Sequence, residues 1–468
     1  MDNHFHEEES YRDRVSTVTE SGKRKWIYAL APKGKFYNWR SILSALYIVV
    51  FVAIPFIKVN GLPLVMFNIV EGKFILFSKI FWPHDFFIFA VAMICFIIII
   101  VLFTIIYGRL FCGWVCPQTV FMEFIFRKIE WWIEGSPSAQ RKLNEGPWDT
   151  NKIIKKLSKH ILFLIISFFI ANIFLSYIIG VDQLYRIIKE PISDHLSLLF
   201  GLFFFSLLFY GVFAYVREIV CTTICPYGRL QGVMFDKNTM QIAYDYKRGE
   251  PRGRVKKGEE RTHGDCVDCM KCVHVCPTGI DIRNGLQMEC VGCTACIDAC
   301  NEVMHKLNFQ PNLIRYASED EIKNDIPFKI TNRMKAYTAV LIGLMIFLAT
   351  LVMSRRSVDA FITRVKGQTY QELENGSKIS NIFNAKIINK THQEINAELR
   401  LEDGMQGEIK LVGVDHILLH KDHINEFSFF VTLPKGSVAS RKNSIKIGLY
   451  NGDEKIQTIK TTFLGPFN

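Results

Sequence analysis

The sequence predicts a multi-pass α-helical membrane protein with a cysteine-rich insert and a β-sandwich towards its C-terminal end. Three observations carry that reading. There are five long apolar segments, ten of the thirteen cysteines gather between residues 217 and 335, and short alternating runs take over after Gly376.

Of the 468 residues, 49% are hydrophobic and 38 are Phe, and the apolar residues are clumped. About 20 apolar residues in a row are needed to cross the ~30 Å hydrocarbon core. Ile42–Ile57, Phe86–Tyr107, Ile161–Ile179, Leu196–Val216 and Ala336–Met353 qualify, the first and last being short. Pro55 inside the first predicts a kink or an early exit. No cleavable signal peptide is expected. Met1 to about Asn38 is polar, with an acidic start at His4–Glu9 that reads as disordered, and the first apolar run is long enough to remain as an anchor.

The formal charge of +11 suits nucleic acid or an anionic membrane surface. Most Lys and Arg flank apolar segments, so the membrane accounts for it and no nucleic-acid partner is expected. The same residues set orientation, because Lys and Arg accumulate on the cytoplasmic side. Lys23, Arg24, Lys25, Lys33, Lys35 and Arg40 precede the first segment, and nine basic residues from Arg109 to Lys159 lie between the second and third. The loop Lys58–Asp85 has only Lys58, Lys73 and Lys79, and the one before the fourth segment only Arg186 and Lys189. The N-terminus is therefore expected in the cytoplasm and the C-terminal region outside. Arg355 and Arg356 argue the other way and are outweighed by Lys329, Arg333 and Lys335.

Division follows from these segments. Residues 1–40 form a cytoplasmic tail, 41–216 four transmembrane helices with a cytoplasmic loop, 217–335 a cytoplasmic insert with its core at 258–305, 336–353 a fifth helix, and 354–468 an outer β domain. In the first cytoplasmic loop, Phe121, Phe124, Ile125, Ile129 and Trp132 recur at helical spacing among charges, which predicts a helix lying in the membrane interface. Beyond Gly376, runs such as Glu426–Leu433, Ser444–Leu449 and Lys455–Phe463 are separated by turn signals at Pro434–Gly436 and Asn451–Gly452. They read as a sandwich without cysteine.

Clustered thiols in a reducing compartment read as metal ligands, since a disulfide framework spreads its cysteines more evenly. The strongest signal is Cys266-x-x-Cys269-x-x-Cys272-x-x-x-Cys276-Pro277, followed by Cys290-x-x-Cys293-x-x-Cys296-x-x-x-Cys300. Three thiolates at two-residue gaps wrap one corner of an iron–sulfur cube, and the fourth, on a departing segment, ligates the other cube. This assigns one 4Fe–4S cluster to Cys266, Cys269, Cys272 and Cys300, and a second to Cys290, Cys293, Cys296 and Cys276. Structural zinc uses paired C-x-x-C ligands but has no need of duplicated triple runs. Asn301 stands where Pro usually follows the last cysteine, and proline there shapes an exit turn without being a ligand. The insert is thus a dicluster ferredoxin-like domain, an electron relay. Lys271, His274 and Arg283 near these ligands stand as tuning residues or as ordinary solvated side chains, and the second reading is preferred.

A second constellation pairs Cys112-x-x-x-Cys116-Pro117 with Cys221-x-x-x-Cys225-Pro226, each after a membrane segment and an arginine (Arg109, Arg217). The unit occurs twice, as an internal repeat. Proline sits well in a first helical turn, so each pair straddles the entry to a new helix. A helix N-terminus favours thiolate, and hence metal binding or redox activity. Four thiols converging from two repeats suit a soft ion such as Cu(I). Met122 and Met234 in the next turns stand as thioether ligands or, more commonly, core filler. Disulfides are disfavoured on this side of the membrane, and duplication speaks against inert thiols. Cys95, alone in a membrane segment, reads as packing. His160 and His195 at segment ends read as interface anchors, because no spacing supports a bis-histidine haem.

At these residues the chain resembles the cytochrome c oxidase accessory protein family, CcoG (also called FixG or RdxA), over nearly its whole length. The duplicated C-x-x-x-C-P motifs, the run from Cys266 to Cys300, the fifth helix and the outer β domain carry the resemblance, the last being its most specific part. The resemblance implies an immunoglobulin-like C-terminal domain in the periplasm, a bacterial inner membrane location, and a role in assembling the cbb-type haem–copper oxidase. It implies a cupric reductase, with the eight ferredoxin cysteines holding clusters and Cys112, Cys116, Cys221 and Cys225 handling copper. Oxidase subunits or copper-delivery proteins would be its partners, and the electron donor is unspecified. Two other functions compete: a membrane polyferredoxin passing electrons between a soluble donor and quinone, and an assembly scaffold. Twelve paired cysteines weigh against the scaffold.

Overall fold

The computed structural model describes residues 23–466 except 60, 70–71, 78, 83–85, 255–262, 328, 355–357, 366, 368, 375, 392, 403–404, 414–415 and 422. The acidic start at His4–Glu9 and Arg355–Arg356 lie outside the described residues. The chain forms two compact units, one running to Leu348 and the other from Ala349 onwards, the latter taking in two short pieces of the loop after the first long helix.

Among the described residues, five helices are long and apolar enough to cross a membrane: Lys35–Phe56, Phe87–Tyr107, Thr150–Ile179, Ser193–Val216 and Asn332–Met353. The first and third begin well before their apolar runs, because polar first turns extend them. Pro55 ends the first early. The α-helix stops at Ala53 and a 3-10 turn, Ile54–Phe56, takes over, since proline offers no N–H to the helical ladder.

The segment Pro117–Ile133 is helical, with a π turn at Met122–Phe126. Its apolar stripe differs from the expected interfacial helix. Phe121, Met122 and Phe126 are buried against Phe163, Ile170 and Phe213 of the membrane helices, while Trp132 is exposed. Phe126 stacks on Phe213 with centroids 4.4 Å apart and meets Phe163 edge-on at 4.8 Å. The helix had more to pack against than its own loop suggested, because the third and fourth spans bring aromatic faces to it.

Beside this aromatic contact lies a buried ionic cluster. Arg217 grips Glu130 with two hydrogen bonds of 2.6 and 2.8 Å. Lys159 reaches Glu134 at 2.9 Å and Glu130 at 3.6 Å, and Arg127 binds Glu123 at 2.7 Å. Burial is the largest influence on Glu130 and raises its pKa, yet Arg217, Lys159 and Arg127 together hold the carboxyl below the usual range.

The ferredoxin-like insert is framed by the antiparallel strands Gln241–Tyr244 and Ile314–Ala317. It is fastened to the first membrane helix by Asp298, whose carboxylate accepts the Phe36 and Tyr37 N–H groups at 3.2 and 2.8 Å. An acid at a helix start satisfies orphan donors and the dipole. Gly34, at φ +151°, makes room for it, since a Cβ there would lie 2.4 Å from Asp298 Cγ.

The second unit is a two-sheet sandwich. One sheet runs Glu408–Leu411, Ile424–Pro434, Lys378–Asn389, Val358–Arg364, with Gln371–Leu373 also paired to Lys378–Asn389. The other runs Ile417–Leu419, Ile395–Leu401, Lys442–Asn451, Glu454–Leu464. Alternate residues such as Phe383, Ile387, Phe429, Val431, Ile447 and Phe463 fill the space between them. Strand Val358–Arg364 precedes Gly376, where the alternating runs are expected to begin, and buries Val358, Ala360 and Ile362 while pairing with Lys378–Asn389.

Arg217→Ala removes the two-point partner of buried Glu130 and leaves it only Lys159 at 3.6 Å, with an expected cost of about 3 kcal/mol, whereas Arg217→Met with Glu130→Gln restores most of it. Thermal unfolding of the detergent-solubilised chain checks both.

Candidate functional site

The two cysteine runs adopt the same backbone. Asp268 and Met270 in the first, and Gly292 and Thr294 in the second, all have positive φ of 52°, 57°, 70° and 64°. Each run then enters a helix, Lys271–His274 or Ala295–Lys306. These left-handed residues turn successive thiols to one side. Cys266, Cys269, Cys272 and Cys300 line one cavity with about 350 Å³ of empty volume. Cys276, Cys290, Cys293 and Cys296 line a second of about 320 Å³, which Cys272 also borders. Each run is thus met by the last cysteine of the other.

Among the described residues, no three thiols, imidazoles or carboxylates close on a single ion-sized point. Four thiols spaced around a cavity are the donor set of a 4Fe–4S cube. Burial pushes Cys272, Cys290 and Cys300 up to about 12, so each gives up a proton on binding metal.

Arg283 departs from the solvated side chain preferred for it. Its side chain is only 5% exposed and lines the first cavity. It binds Asp281 at 2.6 and 2.8 Å and Asp268 at 2.6 Å, clipping the first cysteine loop. Sequence distance hid this, since Arg283 is eleven residues past Cys272. Lys271 is a surface partner of Glu302 at 2.9 Å, and His274 is exposed, as the bland reading holds.

In the second constellation, Cys116 and Cys225 are the N-cap residues of helices opened by Pro117 and Pro226. The second repeat has one extra residue between its arginine and first cysteine, and a π turn at Val220–Ile224 takes it up. The repeats cross. Cys112 Sγ donates to Gln231 Oε1 of the second at 3.5 Å, while Cys221 has Thr119 of the first beside it. Arg109 donates to the Gly228 carbonyl, and Gln118 to that of Arg217 at 3.3 Å. Burial, reinforced by neighbouring cysteines, pushes Cys112 and Cys221 up to about 12. For these two, burial overrides the thiolate preference expected at a helix start. Met122 is core, as its commoner use suggests. Cys95 is buried. His160 bonds Tyr210 at 2.8 Å and His195 pairs with Glu190.

The constellations adjoin. A Cβ on Gly113 would lie 2.5 Å from the Gly292 carbonyl oxygen, and one on Gly292 would lie 2.8 Å from that of Arg109. Arg40 donates to the Gly113 carbonyl at 3.0 Å, and Tyr316 bridges Trp114 and the Gly292 carbonyl at 3.3 and 3.4 Å. Cys112 and Cys221 pack on the hydrophobic cluster that includes Cys293 and Cys296. A third cavity, of about 330 Å³, has Cys221, Thr119, Glu123, Arg127, Arg217 and Glu218 on one side and Pro277, Thr278 and Val291 on the other. Sequence reasoning missed Gly113, Gly292, Arg40 and Tyr316. The glycines inside the motifs were the available signal, since glycine marks close backbone approach.

Comparison with known proteins agrees with this anatomy. A 4Fe–4S dicluster domain model matches residues 216–319, a 4Fe–4S binding domain model residues 89–135, and a model described as the IG-like fold at the C-terminal of FixG residues 348–466. Protein RdxA of Cereibacter sphaeroides is 32% identical over 352 residues, covering 73% of this chain and 74% of its own. Protein RdxB of the same organism is 31% identical, covering 80% and 82%. The nitrogen fixation protein FixG of Rhizobium meliloti is 27% identical, covering 91% and 90%. On these identities and coverages, together with the matched C-terminal domain, the chain belongs to the FixG/RdxA family of membrane-associated iron–sulfur electron-transfer proteins.

Proposed function

We propose that the chain is a membrane metalloreductase that delivers single electrons to Cu(II) at Cys112, Cys116, Cys221 and Cys225, supplying Cu(I) for assembly of a cbb-type haem–copper oxidase. In this reading Cys266, Cys269, Cys272 and Cys300 hold one 4Fe–4S cluster, and Cys276, Cys290, Cys293 and Cys296 the other. Clusters bound there supply one-electron transfer.

The observation that carries the proposal is the glycine junction. With Gly113 seated on the Gly292 peptide, Cys112 and Cys221 of the C-x-x-x-C-P motifs share a packed core with the second cavity. The substrate Cu(II) takes one electron to become Cu(I). Thiolate sulfur favours that product, because soft ligands stabilise the softer ion. Cys112 and Cys221 must release protons as they bind it. The four sulfurs do not close on an ion-sized point among the described residues, so binding draws them inward. The Lys/Arg bias supports placing both constellations at the cytoplasmic face and the sandwich in the periplasm.

Replacing Cys112, Cys116, Cys221 and Cys225 together with Ser is expected to abolish copper reduction while leaving iron–sulfur absorbance intact. Unchanged activity removes the proposal, and quinone reduction by copper-free protein would favour the polyferredoxin reading in its place. Gly113→Val, which forces the junction apart, is expected to slow copper reduction on the order of tenfold or more at unchanged iron content. Stopped-flow absorbance checks it.

A further inference from the structure

A cation buried inside a protein is costly unless an anion sits against it. Arg127, Lys159, Arg217 and Arg283 follow this rule, each meeting a carboxylate at between 2.6 and 2.9 Å. Arg40 and Arg109 do not, although they are only 2% and 7% exposed. Arg40 donates Nε to the Gly113 carbonyl and lies 5.2 Å from the centre of the Phe124 ring, while its Nη2 has no hydrogen-bond partner. Arg109 donates Nη2 to the Gly228 carbonyl, and its Nε has none. Carbonyls and ring faces hold both, and neither reaches a carboxylate among the described residues.

What the two share is the junction at Gly292. Arg40 binds the carbonyl of Gly113, which packs on the Gly292 peptide, and the Arg109 carbonyl oxygen would lie 2.8 Å from a Cβ on Gly292. Gly292 stands between Cys290 and Cys293, two thiols of the second cavity. Burial raises the pKa of both. Arg40 is the strongest influence in the opposite sense at Cys293, and Arg109 acts in that sense at Cys290. The nearby acids are otherwise engaged. Glu123 binds Arg127, and Asp298 accepts the Phe36 and Tyr37 N–H groups. Glu289 is half-buried, so water screens it.

We infer, on the cluster reading proposed above, that Arg40 and Arg109 set the reduction potential of the second cluster, as buried counter-charges to it. Four thiolates make such a cube an anion, and one added electron makes it more negative. Two fixed cations therefore favour the reduced form and raise the potential. At the first cavity the described cations are already matched. Arg283 has Asp268 and Asp281, and Arg248, which acts on Cys300, has Asp265 at 2.8 Å. An electron entering the pair is thereby held on the side next to Cys112 and Cys221.

Full-length protein in nanodiscs, reduced stepwise with dithionite and followed by electron paramagnetic resonance, reads the potential of each cluster. Arg40→Met and Arg109→Met are each expected to disfavour reduction of one cluster tenfold or more, about 59 mV for one electron, with the other cluster within twofold of the parent. The signal that moves is expected to be the one that Cys276→Ser removes. Arg40→Lys and Arg109→Lys keep the charge and are expected to stay within twofold of the parent. If one Met variant loses its iron, the other decides; loss of iron from both overturns the proposal in favour of a structural role. Met variants within twofold of the parent, a shift of both clusters together, movement of the other signal, or Lys variants that fall as far as the Met variants also overturn it. A parent protein with no reducible iron–sulfur signal overturns the cluster reading instead.

Discussion

Two cysteine loops, each bent by a pair of left-handed residues, turn eight thiols towards two adjoining cavities, and the rest of the first unit is arranged around that constraint. Buried thiols without partners are poor structural material, since sulfur is a weak hydrogen-bond donor and acceptor. Here burial drives Cys272, Cys290 and Cys300 up to about 12. Cys296 is raised well above its ordinary value by burial and by its cysteine neighbours. Such an arrangement makes sense when iron replaces the protons, because metal–thiolate bonding then contributes to folding.

The surroundings keep those loops in place by contact from outside the insert. Asp298, next to the second cysteine run, caps the first membrane helix. Arg40, one turn along that helix, holds the Gly113 carbonyl. Gly113 in turn leaves room for the Gly292 peptide. These three fastenings tie membrane helix, C-x-x-x-C-P repeat and ferredoxin loop into one packed junction. A shift in any of them moves the others, since close-packed interiors transmit displacement.

Much of this was legible in the sequence. The positions of the long helices follow from the apolar runs, and the grouping of the thiols around two cavities from the C-x-x-C spacing. The entry of a helix after each C-x-x-x-C-P motif follows from what proline does to a chain. The misread elements share a cause, which is dependence on partners distant in sequence. The stripe at Phe121–Trp132 announced a helix, but only the aromatic faces around Phe163 and Phe213 made it internal. Arg283 looked like any surface arginine until Asp268 and Asp281 enclosed it. The thiols of Cys112 and Cys221 sit beside helix starts as expected, yet the crossing of the repeats buries them, and burial outweighs the dipole. Glycine positions such as Gly113 and Gly292 carry no chemistry of their own, so their pairing appeared only in three dimensions.

The central claim is that the crossed thiols hold two iron–sulfur cubes. Anaerobic preparations assayed for iron and acid-labile sulfide test it most directly. The account predicts about eight of each per chain, with a paramagnetic signal on reduction that is lost stepwise when Cys300 or Cys276 is replaced. A chain carrying about one zinc per four thiolates, silent on reduction, would contradict it.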